Sequence, residues 1–151
     1  MYPIIIESRG ARPNTQGYGE YEGAPGVECV FYPVDHEMTI IYAADGTTFA
    51  PRGVNGGLPA SASWTRKLTV DGRLIELPAF HQEVFQPSEK MFCFACGGGG
   101  YGDPAKRDPA RVAAMVNRGW LTIDKAREIY GVTLRYDSAS AEHVVTVPTK
   151  D

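Results

Sequence analysis

Apolar positions in this chain come in short bursts, mostly at a spacing of two, broken by glycine and proline. Only near the C-terminus does the spacing lengthen to three and four. Tyr2 to Glu7 is the first β-rich run and stops at Ser8-Arg9-Gly10. Val27 to Tyr32 and Met38 to Ala43 read as strands, being rich in β-branched and aromatic residues. Asp45-Gly46 reads as a hairpin turn leading into Thr47-Thr48-Phe49. Ser61 to Trp64 carries the chain to Leu68-Thr69-Val70, where Asp71-Gly72 predicts a two-residue hairpin. That turn pairs Val70 with Arg73 and Leu68 with Ile75, placing Leu68, Val70, Ile75 and Leu77 on one face. A loop containing Pro78 and Pro87 follows, then a strand from Lys90 to Ala95. Val132 to Tyr136 and His143 to Val147 are two further strand candidates.

Two helices are predicted between the Lys90–Ala95 strand and Val132. Asp108 is an N-cap with Pro109 in the first helical position. Val112, Met115 and Val116 form an apolar stripe, and Gly119 stops the helix. Thr122 caps the second helix, whose stripe is Ala126, Ile129 and Tyr130 and whose stop is Gly131. Neither is long enough to stand alone in water, so each must pack on its neighbour and on the strands.

Three glycine-rich stretches punctuate the strands. Arg12 to Gly26 has no hydrophobic period. Pro51-Arg52-Gly53-Val54-Asn55-Gly56-Gly57-Leu58-Pro59 is the second, and Cys96-Gly97-Gly98-Gly99-Gly100-Tyr101-Gly102-Asp103-Pro104 the third. The first two are long enough to be contact-making, and they are expected to lie against another chain. The third formally satisfies G-x-G-x-x-G at Gly97, Gly99 and Gly102. A dinucleotide loop must open directly into a helix. Here Pro104 and Lys106-Arg107-Asp108 intervene, and Asp103 adds negative charge, so close backbone packing is the expectation. The fold class is therefore α+β: mostly short β-strands and Gly-rich loops with a C-terminal pair of short helices. One domain, 1–151, divides into a β-rich part (1–96), a Gly-rich connector (97–104), a helical hairpin (105–131) and a strand-like tail (132–151).

Composition narrows the partners. The 151 residues carry a net charge of −3, which gives no broad basic field for nucleic acid or an anionic membrane. No apolar run reaches membrane-spanning length. Met1-Tyr2-Pro3 has neither the basic region nor the cleavage site of a signal peptide. Three cysteines do not make a disulfide framework, and a cytoplasmic location is expected.

The run from Gly97 through Asp103-Pro104, then Arg107-Asp108-Pro109, Val112, Gly119, Ala126-Arg127 and Tyr130-Gly131-Val132, resembles the C-terminal signature of the hydantoinase B family. Arg12-Pro13 with Gly17, Gly19, Tyr21, Gly23 and Gly26 resembles that family's glycine-rich loop. Pro51, Gly53, Gly56-Gly57 and Pro59 resemble its next one. The likeness runs from about Arg9 to Val132. The chain departs from the pattern in its length, in Cys93 and Cys96 before the glycines, and in the tail beyond Val132. A free-standing piece of this kind resembles the small (gamma) subunit of acetophenone carboxylase. The resemblance implies a non-catalytic part of a biotin-independent carboxylase that uses ATP and bicarbonate on an aromatic ketone. Its implied partners are a large hydantoinase-B-like subunit and hydantoinase-A-like subunits that carry the ATP sites. Related family members open hydantoins or lactams.

Cys93-Phe94-Ala95-Cys96 has zinc-knuckle spacing, and a tetrahedral site would need two more ligands from Cys29, His36, His81 and His143. The leading set is Cys93, Cys96, Cys29 and His81, set against buried thiols at a strand end. His81 with Glu83 is an acid–base candidate. Asp35-His36-Glu37 reads as a polar turn, and Ser61 and Ser63 lack a nucleophile elbow. Arg107 and Arg111 read as solvated surface or as an anion contact. The helix pair also admits a helix-turn-helix reading, but Asp124, Lys125, Arg127 and Glu128 leave the second helix charge-balanced. The competing function is thus an independent zinc-knuckle or helix-turn-helix module.

Overall fold

The computed structural model describes residues 3–146. It is α+β: nine strands, with two short helices towards the C-terminus. Strands β1 (Ile4–Ala11), β2 (Val27–Pro33), β4 (Trp64–Leu68), β5 (Leu74–Leu77) and β7 (Lys90–Ala95) form an antiparallel sheet in the order β1-β2-β7-β4-β5. Strands β3 (Met38–Ala43) and β6 (Phe80–Phe85) form a separate two-stranded ribbon. Phe85 of the ribbon, buried completely, meets Leu77 and Met91 of the sheet, with Ile40, Tyr42, Phe31 and Cys93 packed around them. Sheet and ribbon therefore bury one face of each against the other.

Helices α1 (Pro109–Asn117) and α2 (Ile123–Tyr130) start and stop where their caps predict. Asp108 accepts from the Ala110 amide, Thr122 accepts from the Lys125 amide, and Gly131 ends α2 in the left-handed conformation at φ 67°. Val112, Met115, Ala126 and Tyr130 form a second core together with Tyr18. Strands β8 (Leu134–Asp137) and β9 (Glu142–Val145) make a hairpin whose second strand lies on α1. Tyr2 and Val147, the outer ends of two predicted strands, lie outside the described residues.

Three sequence expectations are corrected. Asp45–Thr47 is a 3-10 turn and not a hairpin; its amides feed back to Ala44 and Asp45, and the partner of β3 is β6. The Asp71-Gly72 hairpin has a three-residue loop. Gly72 alone has positive φ (82°) and its amide bonds Thr69, so Leu68 pairs with Leu74 and Lys67 with Ile75. A two-residue type I′ turn needs positive φ at Asp71 as well. Ile75 and Leu77 consequently share a face with Thr65 and Lys67 rather than with Leu68. The segment between Pro78 and Pro87, read as loop, contains β6. Its apolar Phe80 and Val84 face outward and its polar His81 and Glu83 face inward, the reverse of the pattern that marks a half-buried strand.

Candidate functional site

The three glycine-rich stretches meet one another. Gly98 donates to Ala24 and accepts from Gly17 (2.9 and 2.7 Å). Gly100 donates to Leu58 and accepts from Val54 (3.0 and 2.9 Å). Tyr101 exchanges both backbone bonds with Tyr21, at 2.8 and 2.9 Å. Backbone meets backbone because no side chain intervenes. A Cβ on Gly99 would lie on the Arg52 carbonyl, one on Gly100 on the Tyr18 carbonyl, and one on Gly23 on the Gly98 carbonyl. None of Gly97 to Gly100 has positive φ, so closeness rather than strain requires glycine here. The two long loops, expected against another chain, pair these backbone groups within this one, while Tyr21, Arg52, Val54, Asn55 and Leu58 stay exposed. Gln16, 1% exposed, sends its amide to the Trp120 carbonyl, and Tyr18 enters the helical core.

A charged clamp holds the crossing to the helices. Arg107 is buried; it pairs with Glu22 at 2.6 Å and donates to the Glu20 carbonyl at 2.8 Å. Burial pushes the Glu22 carboxyl up, against the pull of Arg107, Arg118 and Arg111. Burial likewise pushes the Tyr130 hydroxyl up to about 12. The surface reading of Arg107 is therefore corrected, while Arg111 is exposed.

The thiols gather elsewhere. Cys29 and Cys93 are direct cross-strand partners on β2 and β7, and the Cys93 thiol donates to the Cys29 carbonyl at 3.4 Å. Burial, then the neighbouring Cys29, raises the Cys93 pKa. Both, with Cys96, line an apolar trough of about 670 Å³ between the sheet and β3. His81 does not join them: it sits on β6 with its Nε2 3.0 Å from Glu83. Among the described residues no group of three or more His, Cys, Asp and Glu converges as a metal cage. Two thiols across a ladder and a third at the strand end are what the trough offers a soft metal.

His81 and Glu83 do meet, but Glu83 is engaged. Lys67, 8% exposed, lies 2.9 Å from Glu83 and 2.8 Å from Glu89, and donates to the Val84 carbonyl at 2.6 Å. The Lys67 hydrogen bond is the main force lowering the Glu83 pKa. For Lys67 burial acts downward, but the bonds to Glu89 and Glu83 outweigh it and raise the pKa. This ion triad fastens β4 to β6 and holds the carboxylate ionised.

Residues 1–104 match the model of the family described as hydantoinase B/oxoprolinase. The chain belongs to this family. Among curated proteins of the hydantoinase B group it is 32% identical over 142 residues to caprolactamase subunit beta of Pseudomonas jessenii, covering 88% of this chain and 24% of that one. The crystal structure of the ATP-dependent caprolactamase from that organism superposes with a TM-score of 0.69 at 26% identity, over 89% of this chain and 24% of that one. The acetophenone carboxylase delta subunit of Aromatoleum aromaticum is 29% identical over 164 residues, 87% of this chain and 24% of that one. A nucleotide-free acetone carboxylase structure shares the fold with a TM-score of 0.76 at 21% identity, over 95% of this chain and 23% of that one. The chain spans about a quarter of the length of the relatives it matches. The matching acetophenone carboxylase subunit is named delta where the sequence pointed to gamma; the family is the same.

Within this hydantoinase B fold, three structural residues escaped the sequence reading. Asn14, at φ 63°, accepts from the Thr122 amide and ties the first loop to the turn between the helices. Gln16 and Lys67 are buried polar residues whose types are usually exposed. Asn14 stood in a turn-rich run and could have been singled out, because Asn tolerates the left-handed region. Gln16 and Lys67 are defined by partners remote in sequence, so no local signal marks them.

Proposed function

We propose that this chain is a small non-catalytic component of a multi-subunit, ATP-dependent, biotin-independent carboxylase. It completes a large hydantoinase-B-like chain and joins it to hydantoinase-A-like chains that bind ATP. The substrate is an aromatic ketone of the acetophenone type, carboxylated with bicarbonate to a β-keto acid. The carrying observation is the coverage: relatives named as enzyme subunits contain this fold as about a quarter of their length. The absorbed charges support a structural role, since Glu83 is held by Lys67 and Glu22 by Arg107. Family membership over residues 1–104 argues against an independent zinc-knuckle or helix-turn-helix module. A second reading, opening of a lactam, is favoured by the higher identity to the caprolactamase subunit, 32% against 29%.

The test is to purify the chain with a large hydantoinase-B-like and a hydantoinase-A-like chain and follow ADP release. Acetophenone with bicarbonate should stimulate ADP release and yield the β-keto acid only when all three are present. Stimulation by caprolactam with a ring-opened product would favour the second reading. Full activity without this chain would refute both.

A further inference from the structure

Among the described residues, two strands cover the inward face of the five-stranded sheet, and they cover it unevenly. On one side of the ribbon, β6 is fastened to β4 through Lys67, Glu83 and Val84. On the other side lies the trough. Ile40, Tyr42 and Ala43 of β3 line it, with Cys29, Phe31 and Cys93 on its sheet wall, and no residue of β6 takes part. The trough therefore opens on the β3 flank of the ribbon, between Ile40 and Tyr42 and the sheet residues Cys29, Phe31 and Cys93.

The edge of β3 away from β6 lacks the usual protection. Among the described residues β3 has one ladder partner, β6. It reads Met38-Thr39-Ile40-Ile41-Tyr42-Ala43, with no charge, proline or glycine, and its pairing has no register shift. Soluble proteins blunt such edges with charges, prolines or bulges. The outer edge strand β1 of this molecule does so, with a bulge between Ile6 and Ser8 and with Glu7 and Arg9 in its middle. The outward face of the ribbon is apolar too: Ile41 is 66% and Phe80 74% exposed.

We propose that β3 is a docking edge for the large hydantoinase-B-like partner. An extended apolar segment of that chain pairs with Met38–Ala43, becomes the third strand of the ribbon and seats alternate side chains in the trough. Strand addition of this kind draws affinity from backbone bonds and specificity from pockets for every second side chain. The occupant follows from length: relatives containing this fold are about four times longer, so the family supplies chain to lie beside it. The inference rests on the function proposed above.

The native thiols and the β3 amides report on it. Hydrogen exchange at Thr39 to Tyr42, and alkylation of Cys29 and Cys93, are measured on the chain alone and mixed with the large hydantoinase-B-like chain. Both rates should fall at least about tenfold in the complex, as closure of an open edge implies. A complex that forms with both rates unchanged overturns the docking edge and leaves the proposed function standing. Failure to form any complex overturns both. Protection that grows with concentration of this chain alone assigns the edge to a second copy and overturns the partner proposed.

Discussion

An alanine at position 100 would set its methyl group on the carbonyl oxygen of Tyr18, and one at position 99 on that of Arg52. Backbone cannot withdraw as a flexible side chain does, so each substitution must shift one of three crossing segments. Overpacking of this kind costs about 1–3 kcal/mol. Gly99→Ala and Gly100→Ala should therefore lower the melting temperature and the yield of assembled complex. The Michaelis constant for ATP should stay unchanged in whatever complex remains, because Gly98, Gly100 and Tyr101 already spend their amides on Ala24, Leu58 and Tyr21. Weakened ATP affinity in an intact complex would revive a phosphate-binding loop. At this scale the sequence was legible where a residue acts on its neighbours: Asp108, Thr122 and Gly131 cap their helices as their types dictate. It was silent where the partner is remote. Arg107 reads as one more surface cation until Glu22, far away in the chain, is seen 2.6 Å from it.

Between elements, the ion triad of Lys67, Glu83 and Glu89 decides how ribbon and sheet are joined. Glu83 has a lowered pKa in the folded chain, so its contribution is present above the ordinary carboxylate value of 4.5 and fades as pH falls through the lower folded value. Lys67→Met removes the cation and leaves two part-buried carboxylates facing each other. It should cost about 3–5 kcal/mol at pH 7. It should also reverse the pH dependence: acidification towards 5 protonates the unpaired carboxylates and stabilises the variant, while the wild type gains nothing. Thermal melts of both proteins at pH 7 and 5 check this; parallel curves would show that the triad is solvated. The strands themselves were legible wherever apolar residues face the core, as in β2, β3 and β7. The missed strand, β6, turns its polar His81 and Glu83 inward to meet this triad, so its periodicity points the wrong way. The register of the β4–β5 hairpin was hidden in one dihedral, the backbone of Asp71, which composition does not encode.

The molecule as a whole is a sheet and ribbon joined to a helical hairpin through a knot of glycine backbone. Three glycine motifs in order made the family legible from sequence. Their mutual packing was not, because loops without a hydrophobic period read as surface, and only the bare backbone of their glycines lets the segments of the crossing approach so closely. The central claim is that such a chain works as a component of a larger ATP-dependent enzyme. Native mass spectrometry of the chain co-expressed with a large hydantoinase-B-like and a hydantoinase-A-like chain tests it most directly. The account requires one particle containing all three, losing this chain when Gly100→Ala disturbs the crossing. A well-folded chain that melts cooperatively and appears only by itself would contradict it.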